Sequence, residues 1–440
     1  MTNRIHLAAF LIAGNGAHSH ALWRHPQSWP GGFLTADYYQ RIATSLERGV
    51  FDLVFFADRL AVSTQYGGSH KFGLRHGDQD ATRLDPIPVL STMSCVTQRI
   101  GLGGTRSTTY AQPYELARAF STLDHLSKGR AAWNVVTSVN RGEADNFGVR
   151  NSLEHDARYD RADEFLEAVF RLWDGWAPDA LRLDQTSGVY ADPEKVARAD
   201  FEGRWIRTAG PLNIPRSPQG RPVIIQAGSS ARGQDFAARW AEIVFSIQPD
   251  LPRMQRFYDD FKSRLAHFCR DPGAAKVLTA VMPFVGESEA EARDKQAQHN
   301  ALVDPYVGLS TLSSHMNVDF SRFPLDTPIA DISVQGMQGI FSIIKEMSHQ
   351  DGLTLADVGR LYGEGVLVPQ IVGTASQVAD QLIQIFKARG ADGFVVSPAY
   401  LPGGFDDFVD GVVPLLQRER LFPTEYKGKT LREHLGSPVA

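Results

Sequence analysis

Short apolar runs recur along the chain, and most are followed by a segment with helical periodicity. The apolar runs are continuous rather than alternating, which is typical of strands that are buried on both faces of a parallel sheet. Eight such strands are predicted, at Arg4–Ile12, Phe51–Asp58, Arg99–Ser107, Arg130–Ser138, Arg221–Ser229, Ala241–Gln248, Val277–Gly286 and Asp392–Ala399.

The helical segments carry the expected boundary residues. PYELARAFSTLDHLSKG begins with Pro113 and stops at Gly129, and ADYYQRIATSLERG stops at Gly49. Proline near the start of a helix and glycine just past its end form a common asymmetry. Strands that alternate with helices predict an α/β fold, and the count of eight favours a (β/α)8 TIM barrel with insertions on its βα loops. The alternative is a doubly wound open sheet with a second domain.

The strands are unevenly spaced, which predicts insertions within one domain that spans 1–440. About 80 residues separate the fourth and fifth strands, and over 100 separate the seventh and eighth. We place the insertions at about 175–215 and 300–370. The second contains STLSSHMNVDFSRFPLDTPI, which is poor in strand signal and is predicted to be a lid or pocket wall. The polar tail at 421–440 is predicted to lie on the surface or to pack against a partner subunit.

Composition narrows the class of protein. The chain of 440 residues is 43% hydrophobic and 22% charged, with a formal net charge of −5, which is ordinary for a globular protein. No basic run suggests nucleic acid as a partner. Its two cysteines, Cys95 and Cys269, form no disulfide framework. No leader and no apolar run long enough to span a bilayer is recognised, so a cytoplasmic protein without a membrane partner is expected.

Polar residues gather where the predicted strands end. In a (β/α)8 barrel the C-terminal ends of the strands meet at one mouth, and catalytic residues lie there. Each residue also has a structural explanation, such as capping a turn or favouring a strand, but the recurrence at four strand ends favours a site. The residues are Asp58, Thr105, Ser107, Thr108, Thr109, Asn134, Thr137, Ser138, Gln226, Gly228, Ser229 and Ser230.

The stretch RPVIIQAGSSARGQDFAARW places a strand directly before Gly228, Ser229 and Ser230 and a helix after them. Backbone N–H groups and the helix dipole favour an anion at such a helix start. Serine is also among the best N-cap residues and needs no ligand to fill that role. With the neutral amides and hydroxyls at the other strand ends, the pattern suits a polar heteroaromatic ring with a phosphate tail.

Other chemistries find less support. His18, His20 and His25 cluster near the N-terminus, but no carboxylate or cysteine accompanies them at ligand spacing, so no metal site is predicted. No G-x-S-x-G sequence positions a nucleophilic serine. GLGGTRS, at Gly101–Ser107, does not match a dinucleotide-binding G-x-G-x-x-G loop.

Eight motifs follow one another over nearly the whole chain: LWRHP, FDLVFFAD, STTYAQPYELAR, STLDHLSKGRAAWNVVTS, NFG, EHDARYDRADEFLEAVFRLWD, GPLNIPRSPQGRPVIIQAGSS and TEYKGKTLREHLG. In sequence and in order they resemble the motifs of the flavin-dependent monooxygenases of the bacterial luciferase superfamily. Within them, the chain looks like the branch with nitrilotriacetate, EDTA, dibenzothiophene-sulfone and long-chain alkane monooxygenases and pristinamycin synthase.

This resemblance implies a two-component system, in which a separate NAD(P)H:FMN reductase supplies reduced FMN and the monooxygenase reacts it with O2. Asp58, Thr105 and Asn134 would surround the isoalloxazine ring. His155 and Tyr159 would reach the ribityl chain and phosphate, and Ala227, Gly228, Ser229 and Ser230 would hold the phosphate. Relatives imply a homodimer or a homotetramer.

The same chemistry requires a dry cavity and a source of protons. Phe10, Phe56, Phe245 and Trp133 are candidates for the apolar wall, although some aromatic residues are simply core. His20 and, second, His315 are the candidate proton donors, because histidine titrates in the range that acid–base catalysis uses.

The substrate is expected to be a small organic molecule that undergoes oxidative C–N or C–S cleavage. A polyanionic substrate would need arginines at the mouth, and Arg24, Arg75, Arg83 and Arg106 are candidates. The polar segment Gly77–Pro86 is a further candidate for specificity. An F420- or flavin-dependent reductase on the same barrel, an alkane-type hydroxylase and a non-catalytic flavin-binding protein are the alternatives.

Overall fold

A computed structural model of the protein describes residues 4–150, 153–334 and 336–436. Its strands are β1 (His6–Ile12), β2 (Leu53–Ala57), β3 (Gly101–Ser107), β4 (Ala131–Val136), β5 (Leu181–Asp184), β6 (Val189–Ala191), β7 (Phe201–Glu202), β8 (Arg207–Thr208), β9 (Val223–Gln226), β10 (Ile243–Ser246), β11 (Lys276–Gly286), β12 (Gln370–Thr374) and β13 (Gly393–Val396).

Its α-helices are α1 (Ala36–Arg48), α2 (Lys71–His76), α3 (Pro86–Ser94), α4 (Pro113–Leu126), α5 (Arg141–Asn146), α6 (His155–Asp174), α7 (Ala231–Trp240), α8 (Leu251–His267), α9 (Glu289–Ala301), α10 (Pro305–Met316), α11 (Gln338–Asp351), α12 (Leu355–Gly365), α13 (Ala375–Lys387), α14 (Val413–Arg418) and α15 (Leu431–His434). Within the described ranges, no helix is both long and apolar enough to cross a membrane.

Eight parallel strands close into a barrel, in the order β1-β2-β3-β4-β9-β10-β11-β13, with β13 paired back to β1. All eight correspond to the predicted apolar runs, so the predicted (β/α)8 barrel is confirmed. The burial pattern explains why the runs are continuous. Strands such as His6–Ile12 and Val223–Gln226 are buried at every position, because one face packs into the barrel and the other against the surrounding helices.

Five strands were not predicted, and all lie outside the barrel. β5 pairs with β6 and β7 with β8 as two short antiparallel hairpins after α6, and most of their positions are exposed. Exposed strands lack the apolar run by which the barrel strands were recognised. β12 extends the sheet by pairing with the second half of β11, from Met282↔Gln370 to Gly286↔Thr374.

The long segment between β11 and β13 contains the helices α10, α11 and α12, which enclose an apolar cluster of their own that includes Leu312, Phe341 and Tyr362. α10 crosses α12 closely: a Cβ on Gly308 would lie 1.9 Å from the carbonyl oxygen of Gly359. Glycine at position 308 is therefore required by the helix packing rather than by a turn. The segment stands on the barrel as a packed helical unit, not as a loose loop.

The C-terminal tail lies on the surface of its own chain, with some side chains exposed and others packed against the barrel, and its contact with a partner subunit stays a prediction. Leu431 and Leu435 are buried, and the Leu431 side chain lies against Gly101 at the start of β3. The Arg432 guanidinium pairs with Glu242, just before β10. The tail thereby packs at the N-terminal end of the barrel. The sequence did not predict this packing, because the apolar residues of the tail stand within a polar segment. Residues 437–440 lie outside the described residues.

Candidate active site

A cavity of about 350 Å³ opens at the C-terminal ends of the barrel strands. This is the end at which barrel enzymes carry their active sites, and the volume is within the range of small-molecule sites. The cavity is lined by all of the residues predicted to bind a cofactor, which come from separate stretches of the chain: Asp58, Thr105, Asn134, His155, Tyr159, Ala227, Gly228, Ser229 and Ser230.

One end of the cavity presents hydrogen-bonding groups from β3 and β4. Thr105 and Asn134 are paired in register, and the Asn134 Nδ2 donates to the Thr105 hydroxyl at 2.9 Å, which in turn donates to the carbonyl of Phe56 at 2.8 Å. The Asn134 Oδ1 is buried and has no hydrogen-bond partner among the described residues. A buried acceptor without a partner costs free energy, so a ligand N–H at this position would stabilise the site.

Asp58 lies beside this pair, at the end of β2. Its Oδ1 accepts from the N–H of Arg59 at 2.9 Å, and its Oδ2 lies 3.6 Å from the guanidinium of Arg106. Burial raises the pKa of Asp58 to about 6, against the opposing effect of Arg83 and Arg106. The carboxyl group therefore changes its charge close to neutral pH, next to the position of the predicted ring.

Another part of the cavity lining comes from the turn between β9 and α7. Ser230 is the N-cap: its Oγ accepts from the N–H of Gly233 at 3.1 Å and lies 3.3 Å from the Nε2 of His155. Burial raises the pKa of Tyr159, although hydrogen bonds with Thr137 and Ser230 oppose the shift. Capping and anion binding are thus compatible, since the capped helix still presents its N-terminal end to the cavity.

A second helix begins at the same place. The first residues of α11 line the cavity, and a Cβ on Gly339 would lie only 1.7 Å from the Oγ of Ser229. α7 and α11 therefore direct two helix N-termini toward one end of the cavity, an arrangement that favours a phosphate. The sequence did not reveal this, because α11 follows about 110 residues after Ser229.

Arg158 is a cation at this end that the sequence interpretation missed. It lines the cavity next to Tyr159, and its Nη1 donates to the carbonyl of Leu153 at 2.8 Å. The Arg158 Nε is buried without a hydrogen-bond partner in the described structure. Burial lowers the pKa of Arg158, but the guanidinium ordinarily remains charged in proteins. The sequence could have indicated Arg158, because it lies in the motif HDARY between His155 and Tyr159, which were predicted to bind the cofactor.

The middle of the cavity is apolar and aromatic. Phe10 and Phe245 line it as predicted, together with Phe55, whose ring centroid lies 5.8 Å from that of Phe10 and 4.7 Å from that of Phe245. Phe56 was the wrong choice. Successive side chains of a strand point to opposite faces, so the Phe56 ring lies outside the barrel, edge-on to Tyr39 at 5.9 Å.

Trp133 is likewise directed away from the cavity. It is fully buried between the barrel and its helices, where its ring packs near Phe120, Phe165 and Trp173. It belongs to the core.

The two predicted proton donors do not line the cavity. His20 is buried under α10 and α12, where its Nδ1 donates to the carbonyl of Gly363 at 3.1 Å and its Nε2 accepts from the hydroxyl of Thr311 at 2.5 Å. Burial lowers the pKa of His20 to about 4. His315 is also buried and contacts the hydroxyl of Tyr362 at 2.8 Å, and burial holds its pKa well below the usual range. Both imidazoles have structural partners and stay neutral.

His18 is the histidine that lines the cavity. Its ring stacks on Phe10 with centroids 3.7 Å apart, and its Nδ1 lies 3.0 Å from the hydroxyl of Ser397. Burial lowers the pKa of His18 to about 3, so the imidazole is neutral and can donate or accept a hydrogen bond with Ser397 or a ligand. In the loop sequence GNGAHSH nothing distinguished His18 from His20.

In the described parts of the chain, no group of three or more His, Cys, Asp or Glu side chains is placed so that it could hold a metal ion. The cavity instead combines hydrogen-bonding groups, an aromatic wall and a helix N-terminus that can bind an anion. This combination on a (β/α)8 barrel fits the class of flavin enzymes.

Comparison with known proteins agrees with this class. Residues 10–393 match the model of the luciferase-like monooxygenase family, and the chain belongs to that family. It is 52% identical to the dibenzothiophene-sulfone monooxygenase of Rhodococcus erythropolis (strain XP), over 99% of this chain and 97% of that protein. It is 40% identical to nitrilotriacetate monooxygenase component A of Aminobacter aminovorans, over 97% and 95%.

A solved structure gives the same result in three dimensions. A crystal structure of riboflavin lyase with modified FMN and riboflavin matches with a TM-score of 0.91 and 33% identity, over 99% of this chain and 96% of that one. The protein is therefore a flavin-dependent monooxygenase that uses reduced flavin and O2.

Proposed function

We propose that the protein binds reduced FMN in this cavity and uses O2 to oxidise a small, neutral aromatic sulfone, with cleavage of its C–S bond. The observation that carries the choice is the aromatic wall of Phe10, Phe55 and Phe245, which offers stacking contacts and no charge. The 52% identity to a dibenzothiophene-sulfone monooxygenase supports the same substrate class.

The residues fit FMN at both ends. The unpartnered Oδ1 of Asn134 suits an N–H of the isoalloxazine edge, and the turn at Ser229 and Ser230 suits the phosphate, with Arg158 adding a positive charge. When bound, the reduced flavin supplies the electrons that activate O2. The chain itself orients the ring through Thr105 and Asn134, and α11 covers the serine turn against water.

His18 is the candidate residue for hydrogen bonding to the reacting groups. Its neutral imidazole lines the cavity and contacts Ser397 at 3.0 Å, so one ring nitrogen can form a hydrogen bond with a bound ligand while the other holds the ring in place. The stacked Phe10 fixes the orientation of the imidazole. His20 and His315 act as positioning residues for the helices above the cavity.

A separate reductase is the proposed source of reduced FMN. The name of the Aminobacter relative, component A, indicates a multi-component system for that enzyme, and the described cavity offers no second site with a dinucleotide-binding loop. The predicted homodimer or homotetramer, the cytoplasmic location and the single domain over 1–440 stay predictions.

The test supplies reduced FMN from a generic flavin reductase, 18O2 and dibenzothiophene sulfone, with nitrilotriacetate as the second substrate. We expect one 18O atom in a ring-opened product of the sulfone, identified by mass spectrometry. Oxidation of nitrilotriacetate alone would overturn the C–S assignment in favour of C–N cleavage. Hydride transfer to substrate without oxygen incorporation would favour a reductase on the same barrel.

A further inference from the structure

A second chamber adjoins the flavin cavity. It encloses about 380 Å³ and lies between the loop that follows β2 and the segment before α3. Asp58 and Arg59 line both spaces, so the two chambers share one wall. The proposed function leaves this chamber without a role.

Three arginines line the second chamber: Arg59, Arg83 and Arg106. Arg59 and Arg83 share one buried carboxylate, Asp80, at 3.5 and 2.9 Å. These two guanidinium groups lower the pKa of Asp80 to about 2 in spite of its burial, so Asp80 is charged. Asp80 is thus held between two guanidinium groups, and Arg83 also acts on the carboxyl group of Asp58.

The protein does not use all of the donors of these arginines. The Arg83 side chain is 9% exposed, and its Nε is buried without a partner among the described residues. Arg106 pairs with Asp85, whose side chain is 50% exposed and whose Oδ1 is already occupied as the N-cap acceptor of α3. An incoming oxyanion can replace the exposed Asp85 on Arg106 at small cost, since an exposed ion pair contributes little stability.

The remainder of the wall is apolar, with Leu60, Val62 and Leu84. A chamber of this size and composition suits a ligand with a small hydrophobic body and one anionic group. Guanidinium groups bind planar or forked oxyanions particularly well, because two N–H groups can donate in parallel. Three arginines face three carboxylates, Asp58, Asp80 and Asp85, so the lining has no excess positive charge and an oxyanion binds by taking the place of the exposed Asp85 on Arg106.

We propose that this second chamber is an anion subsite, in which Arg106 and Arg83 bind the oxyanion group of a small organic acid, an aryl sulfinate or a carboxylate, beside the flavin cavity. A sulfinate is the anion that remains when a C–S bond of a sulfone is cleaved, so the subsite extends the proposed function. Binding of an anion to this subsite can be measured without turnover of a substrate.

The test compares two probes that share a phenyl ring and an SO2 group and differ in charge: benzenesulfinate and methyl phenyl sulfone. Binding to the flavin-free full chain is measured by titration calorimetry. We expect Arg106→Gln to weaken the binding of benzenesulfinate by about tenfold or more, because a charge-assisted hydrogen-bond pair is lost. The affinity for the neutral sulfone should stay unchanged. Arg106→Lys, which retains the charge without the fork, should give an intermediate loss.

Arg293→Gln is the matched control, since Arg293 forms an exposed i,i+4 pair with Glu289 on α9 and lies outside both chambers. Failure of benzenesulfinate to bind the wild type, or an equal effect of Arg106→Gln on both probes, would overturn the subsite. Turnover of dibenzothiophene sulfone is measured separately, so sulfone oxidation without sulfinate binding would reject the subsite and retain the proposed function.

Discussion

Gly339 and Ser229 are in direct contact, although they are far apart in sequence. A methyl group on Gly339 would lie 1.7 Å from the Ser229 hydroxyl oxygen, which no pair of nonbonded atoms tolerates. The first turn of α11 therefore rests on the serine turn and closes one end of the cavity. Glycine is needed here because α11 approaches Ser229 closely, and not because of an unusual backbone conformation, since the position lies at the start of a regular helix.

Gly339→Ala should weaken the binding of FMN. Either Ser229 or the first turn of α11 must move, and overpacking of this kind costs about 1–3 kcal/mol, which corresponds to a loss of affinity of about 5- to 150-fold. A fluorescence titration with FMN measures it. Gly31→Ala is the control, because its added Cβ has open space. Unchanged affinity in Gly339→Ala would show that α11 moves away when FMN binds.

Replacement of both Ser229 and Ser230 by Ala should weaken FMN far more than riboflavin. Each hydrogen bond to a charged group is worth about 1.5–3 kcal/mol, so the pair contributes about 100-fold or more. The loss of the N-cap at Ser230 costs about 1 kcal/mol of stability in addition. Ser288→Ala removes a comparable N-cap from α9, at a distance from the cavity, and controls for that cost. Equal losses for the two flavins would argue against a phosphate at this turn.

His18 and His20 should have separable roles. His18→Ala should lower the rate of substrate oxidation at saturating reduced FMN and leave the melting temperature nearly unchanged, because His18 has one hydrogen bond and a stacking contact. His20→Ala removes the imidazole from the Thr311 hydroxyl and from the Gly363 carbonyl, which keeps its bond from the backbone N–H of residue 20, and should lower the free energy of unfolding by about 1–3 kcal/mol. The reverse pattern would restore His20 as the catalytic candidate.

Asp58 should make stability depend on pH. Its pKa is raised from 3.8 to about 6 by burial, so its contribution to stability is full below pH 3.8 and declines as the pH rises through 6. Asp58→Asn removes this dependence. Relative to the wild type, the variant should gain about 2 kcal/mol of unfolding free energy between pH 4 and pH 7.5.

Chemical denaturation at the two pH values measures the difference. Asp145→Asn, at a side chain that is 58% exposed, is the control and should show no comparable gain. A variant of Asp58 that tracks the wild type at both pH values would mean that Arg83 and Arg106 keep the carboxylate charged throughout.

The barrel could be predicted because each of its strands is an apolar run, and the convergence of polar residues at the mouth follows from parallel strands alone. Side-chain direction could not be predicted for FDLVFFAD, since every position from Leu53 to Phe56 is buried. When both faces of a strand are apolar, the pattern does not say which face points inward, and Phe56 was chosen where Phe55 lines the cavity.

Contacts between residues that are far apart in the sequence could also not be predicted. His18 and His20 lie in a loop without periodicity, and their partners Ser397 and Gly363 are more than 300 residues away. The coverage of Ser229 by α11 depends on how α10 and α12 pack. Burial of the tail depends on Leu431 and Leu435, two apolar residues in a polar segment.

The helices α10, α11 and α12 share an apolar cluster that includes Leu312, Phe341 and Tyr362, and polar contacts such as Thr311 with His20, Ser310 with Asp78 and Ser314 with Asp80 connect them to the barrel loops. An exchange of these helices between family members therefore has to include their loop partners. The helices and those loops together are the unit to graft when new substrate preferences are engineered.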